Sequence, residues 1–200
     1  MRKRICIISL CSIISFTLFS FLAHAEPFGW KWNSSKISNG KLILNINGDY
    51  VSSSYNDKVQ SAISAWNGSG AHVTLTGTGF SSSYVDMTSV SSSTWNSNGW
   101  GSSVNAWTQP RRIDGTACAT NYSNNNCGTG DTINYAAIYL NEGLVPSTSA
   151  KREAVLKHEM GHAIGLGHSS YINGTIMEAA LQYGYNITTF DAQQVNSIYP

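Results

Sequence analysis

The chain has 200 residues, with 12 Lys and Arg against 11 Asp and Glu, a formal net charge of +1, and 42% hydrophobic and 11% aromatic residues. A nearly neutral balance excludes a surface built to track phosphates, and the apolar content excludes a disordered chain. The length suits one domain with a proper core and is short for two.

Met1-Arg2-Lys3-Arg4 is basic, Ile5 to Leu22 is an apolar run broken only by small polar residues, and Ala23-His24-Ala25 is an A-x-A cleavage signal. That order reads as a signal peptide over residues 1–25, removed on export, with the mature chain beginning at Glu26. A retained membrane anchor is the rival, opposed by the A-x-A ending and the polar sequence beyond it. Losing Arg2, Lys3 and Arg4 lowers the basic count from 12 to 9 against 11 acidic residues, and the remaining adjacent pair Arg111-Arg112 reads as a solvated turn. Nucleic acid is therefore not an expected partner, nor is a membrane once the signal is gone.

Downstream, Lys41 to Ile46 alternates and reads as a strand, and Asn56 to Asn67 carries Val59, Ile63 and Trp66 at helical spacing. His72 to Thr76 and Tyr84 to Thr88 read as further strands, and the serine runs at 52–54, 81–83 and 91–93 as loops. Trp95, Trp100 and Trp107 lie in a Gly- and Ser-rich stretch; buried core is their commoner fate, and an aromatic surface for a sugar or polymer is the alternative. After the signal is removed, Cys118 and Cys127 remain as an even pair in an exported chain, expected to form a disulfide across a polar loop. Thiolates for a second metal are the alternative, without nearby histidines to complete the set. Ala136 to Asn141 reads as a strand, Ala150 to Ile164 as a helix capped within Ser147 to Ser149, and Thr189 to Ile198 as a last helix.

His158 and His162 lie four apart, so on that helix both imidazoles leave one face, one turn apart, and can reach one metal. A catalytic zinc keeps three protein ligands and one open position. Gly165 offers a helix end with φ > 0, after which a turn can deliver His168 as the third ligand. Glu159, beside the metal, is placed to take a proton from water held there. Five such positions coincide by chance in about one chain in 10^5. The competing readings are a buried helix whose histidines satisfy core hydrogen bonds and a site that has lost its metal.

The run His158 to His168 fits H-E-x-x-H-x-x-G-x-x-H and resembles the metzincin zinc endopeptidases. Met177, in Gly174-Thr175-Ile176-Met177, follows the third histidine by nine residues and looks like the methionine turn of the matrixin branch. Ala179 stands where other branches carry a tyrosine ligand, which disfavours them. The resemblance implies an α+β, zincin-like catalytic domain over residues 26–200, with a twisted mixed sheet of about five strands and three helices. It implies one catalytic zinc, and a substrate peptide added to the strand Ala137, Ile138, Tyr139, Leu140 as a sheet edge beside the cleft. Leu181, Tyr183 and Tyr185, beyond Met177, are the corresponding candidates for the substrate pocket.

The mature chain departs from matrix metalloproteinases in offering only His72 outside the triad, so a single zinc is expected. The signal runs almost directly into Trp30 and Trp32, leaving no visible propeptide latch. Calcium stays open, although Asp114, Asp131 and Glu142 form no recognisable loop. The expectation is a monomeric zinc endopeptidase acting on protein or peptide substrates, secreted or, in a Gram-negative cell, periplasmic. Two alternatives are a zinc-stapled adhesin or lectin-like module, and a narrow peptidase for a small or cell-wall peptide.

Overall fold

A computed structural model describes residues 25–118, 126–169, 174–179 and 186–200. In chain order the elements are β1 (Ala25–Pro27), β2 (Lys31–Trp32), β3 (Ile37–Ser38), β4 (Lys41–Tyr50), α1 (Asn56–Gly68), β5 (Val73–Gly77) and β6 (Val85–Val90). They continue with α2 (Ser92–Ser97), β7 (Ala106–Arg112), β8 (Thr132–Asn141), α3 (Ser149–Ile164), β9 (Leu166–Ser169) and α4 (Thr189–Ile198). The expected α+β class is what the chain adopts.

Five longer strands lie in the order β5-β4-β6-β8-β7, with β2 and β3 as short additions alongside β8 and β4. β5, β4, β6 and β8 are mutually parallel, and β7 runs antiparallel to β8. The alternation in β4 puts Leu42, Leu44 and Ile46 on one face, joined by Val85, Met87, Ala136, Ile138 and Leu140. Helices α1 and α3 cover that face with Ala62, Ile63, Trp66, Ala154, Leu156 and Met160. Trp66 Nε1 donates to Lys157 O at 2.9 Å, tying α1 to α3, and Trp32 Nε1 donates to Ala163 O at 2.7 Å, so these two buried indoles have their polar atoms satisfied.

Two expectations are corrected here. Ala137, Ile138, Tyr139 and Leu140 are not a sheet edge, because β8 is hydrogen-bonded to β6 on one side and β7 on the other. The edge is β7, a strand the sequence conceals: Trp107-Thr108-Gln109-Pro110 does not alternate, and Pro110 reads as a breaker although an edge strand tolerates it. Arg111 and Arg112 likewise end this strand instead of forming a solvated turn, and Arg112 Nε pairs with Asp131 at 2.9 Å.

The three tryptophans of the Gly- and Ser-rich stretch are buried. Trp95, Trp100 and Trp107 are 0%, 8% and 6% exposed and form a second small core with Val90, against which Val104 and Tyr139 pack. No indole face is left open as a sugar platform, which removes the feature that favoured a lectin-like module. Cys118 and Cys127 form the expected disulfide, with Cα atoms 4.9 Å apart. Helix α3 is capped by Thr148, whose side chain accepts from Lys151 N at 3.2 Å, within the expected capping segment.

Candidate metal centre

Helix α3 carries His158 and His162 one turn apart, and it stops at Gly165, where φ is +123° and the backbone N–H reaches Gly161 O and His162 O, both at 3.1 Å. A side chain at that φ is strained, so glycine is what lets the chain turn directly into β9 and bring His168 back. One ring nitrogen from each of the three histidines lies within 4.8 Å of the others. Among the described residues this is the one group of three or more His, Cys, Asp or Glu side chains able to hold a metal.

The proton positions follow from the partners. His158 Nδ1 lies 2.7 Å from Ile176 O and His162 Nδ1 lies 2.7 Å from Leu166 O. A carbonyl only accepts, so each Nδ1 carries the proton and each Nε2 presents its lone pair to the space between the rings. Burial, reinforced by His168, lowers His158 to about 4. Burial, then His158 and His168, lowers His162 well below the usual range, and burial lowers His168. All three are neutral bases at pH 7.

These residues fit a zinc ion. Two nitrogens each about 2.0–2.1 Å from a tetrahedral zinc stand about 3.4 Å apart. His162 Nε2 and His168 Nε2 are 3.2 Å apart. A cation is what three imidazole nitrogens gathered this closely accept, and the backbone carbonyls of Ile176 and Leu166 supply the orienting contacts that such ligands use.

Glu159 is buried next to this cluster, and its Oε2 accepts from Thr108 Oγ1 of β7 at 2.6 Å. Burial pushes its carboxyl up to about 7, opposed by the Thr108 hydrogen bond. The carboxylate thus sits in a dry place, poised between its two protonation states, with one oxygen tethered to the edge strand.

Met177 is fully buried. A Cβ added at Gly161 would collide with Met177 Sδ and come within 3.2 Å of Met177 Cε and Trp66 Cζ2. Gly161 is therefore the position where α3 lets the methionine approach. Gly161→Ala is expected to destabilise the fold by about 1–3 kcal/mol, because Trp66 is held by its bond to Lys157 and cannot retreat. Urea unfolding checks this; an unchanged midpoint would show that the methionine gives way freely.

Asp191 in α4 secures the same turn from behind. Its Oδ2 accepts from Ile176 N at 3.4 Å and from Thr188 N at 2.8 Å, and Thr188 and Asp191 complete a capping box. Since Ile176 O holds His158, the start of α4, the turn carrying Met177 and His158 form one connected unit.

With this geometry in view, the family profile of the matrixins matches residues 31–200. The chain belongs to the matrixin family. Membership places it among zinc metalloendopeptidases, and the His158, His162 and His168 triad could hold a metal ion. No curated protein matches the chain.

The site residues read from the sequence divide into three groups. His158, Glu159, His162, His168 and Met177 come together. Ala137, Ile138, Tyr139 and Leu140 lie one strand inward from the edge. Leu181, Tyr183 and Tyr185 lie outside the described residues, as do residues 1–24, on which the expected signal peptide falls. Asp131 is engaged by Arg112 and Gly128 N, Asp114 accepts from Thr116 N, and Glu142 accepts from Ser52 Oγ, so the three acids considered for calcium are apart and held by protein partners. His72 is occupied with Tyr199 O at 2.8 Å.

Sequence reasoning missed Thr108 and Phe28, whose ring lies 5.5 Å from that of His162. Nothing local marks Thr108, fifty-one positions before Glu159 in the chain. Phe28 had only its apolarity to announce it.

Proposed function

We propose that this matrixin is an exported zinc endopeptidase in which Glu159 is the general base. The observation that carries this reading is the convergence of three neutral imidazoles, with the buried carboxylate of Glu159 on the helix that carries two of them and one of its oxygens held by Thr108. A zinc ion held by His158, His162 and His168 supplies Lewis acidity to a neighbouring water and to a substrate carbonyl.

The chain's own groups do the rest. Glu159 takes a proton from water in the cleft and returns it to the departing amine, which needs a carboxyl able to exist in both forms near neutral pH. Thr108 fixes which oxygen of Glu159 is free to do so. Edge strand β7, which carries Thr108, offers backbone hydrogen bonds to an extended peptide. Met177 serves as the packed floor of the histidine cluster. The substrates are proteins or peptides.

Export rests on the signal-like residues 1–25 and on a disulfide of the kind that forms and persists in oxidising compartments. No helix among the described residues is long and apolar enough to cross a membrane. Treatment with a strong zinc chelator is expected to abolish cleavage of a mixed peptide library, and stoichiometric zinc to restore it. Cleavage that survives complete metal removal would overturn the proposal.

A further inference from the structure

The edge of the sheet beside Glu159 is open over only part of its length. Asn141 N donates to Asn105 O at 2.8 Å, so odd-numbered residues along β7 turn their backbone groups toward β8. The even-numbered residues, Ala106, Thr108, Pro110 and Arg112, turn theirs outward. Beyond Thr108 those outward groups are already used. Cys118 N donates to Pro110 O at 2.8 Å, Pro110 has no N–H, and Arg112 N donates to Thr116 O at 2.9 Å.

What occupies the edge is the chain itself. A turn closed by Gly115 N to Arg112 O, with Gly115 at φ +84°, sends residues 116–118 back along β7, where Ala117 bridges Arg111 in antiparallel register. The Cys118–Cys127 disulfide anchors the end of this returning segment. Among the described residues, the outward amides and carbonyls of Ala106 and Thr108 have no partner.

Resting on the peptidase reading above, we infer that substrate peptides pair with the edge only at Thr108 and Ala106, and that the disulfide-anchored segment Thr116–Cys118 cuts recognition short on the N-terminal side of the scissile bond. The Thr108 side chain holds Glu159, so the reacting bond lies beside Thr108. With two outward residues available, antiparallel addition is the fuller pairing, because one residue then exchanges both of its bonds with Thr108. An antiparallel substrate runs opposite to β7. Its N-terminal residues therefore meet the blocked Pro110 end, and its C-terminal residues run along Ala106. Recognition by backbone pairing thus favours substrates with little extended chain before the cleaved bond.

The test is two peptide series built on one cleaved sequence, lengthened one residue at a time on either side, with kcat/KM measured on the zinc-loaded protein. C-terminal lengthening is expected to raise kcat/KM about tenfold, the scale of one or two net backbone hydrogen bonds, while N-terminal lengthening stops mattering after the second residue. Equal gains on both sides through the fourth residue would overturn the inference. A Cys118→Ser, Cys127→Ser double variant, checked for folding by its melting curve, should recover the missing N-terminal gain while leaving the C-terminal series unchanged. A parallel loss in both series would show that the segment only stabilises the fold and would also overturn the inference. Failure of the zinc-loaded wild type to cleave any peptide would instead sink the peptidase reading.

Discussion

Glu159→Gln is expected to leave one equivalent of zinc bound and to lower kcat for peptide hydrolysis by about 10^2 to 10^4, the range of general acid-base contributions. The amide has nearly the carboxylate's shape and can still accept from Thr108 through its oxygen, so the packing around α3 is preserved. What it loses is basicity. KM should change little, because the proposed hold on the substrate backbone is by β7 and not by this side chain. Metal analysis, a melting curve and steady-state kinetics on the same preparation check the three parts separately. Zinc retained with kcat unchanged would remove Glu159 from the mechanism. Thr108→Val is the milder companion: it keeps the base but releases its tethered oxygen, so kcat should fall while zinc content holds, and Thr108→Ser should restore it.

The second large effect is loss of the metal itself. His162→Ala removes the ligand whose Nε2 lies 3.2 Å from that of His168, and two imidazoles cannot complete the set a zinc site needs. The expected loss of zinc affinity exceeds the roughly 10- to 100-fold cost of removing a group that merely orients a ligand. Activity should disappear with the metal. The void beside Phe28 adds a stability penalty, which a melting curve on the metal-free proteins isolates. Equilibrium dialysis against zinc settles the affinity, and near wild-type binding by His162→Ala would mean that the three histidines do not act as one site.

Much of the centre could be read directly from residue order, and for a local reason. His158, His162 and Gly165 belong to one helix and its end, where spacing alone determines direction. His168 follows within a single short strand, and Met177 lies near enough in the chain to be recognised by separation. The longer elements behaved similarly: Thr189–Ile198 matches the expected helix, and α1 extends the expected one by a single residue. The short pieces β1, β2 and β3 escaped, since two or three residues carry no period.

The misjudged strand shows the boundary between the two kinds of information. Ala137 to Leu140 looked like an edge because it precedes the zinc helix, and nothing along β8 says how many neighbours it has. Trp107 gives no sign from its neighbours whether its indole faces solvent or joins Trp95, Trp100 and Tyr139. Both questions depend on partners distant in the chain.

By itself, then, the sequence determined the fold class and singled out His158, His162, His168 and Glu159 for the proposed site, because each is written in spacings shorter than two turns of helix or in side-chain chemistry that has few other uses. The tertiary structure alone decided that β7 is the edge, that Thr108 reaches Glu159, and that residues 116–118 close the edge beyond it. Those facts arise from hydrogen bonds and contacts between segments far apart along the backbone, and such pairings are selected by the whole packed core, which no local pattern records.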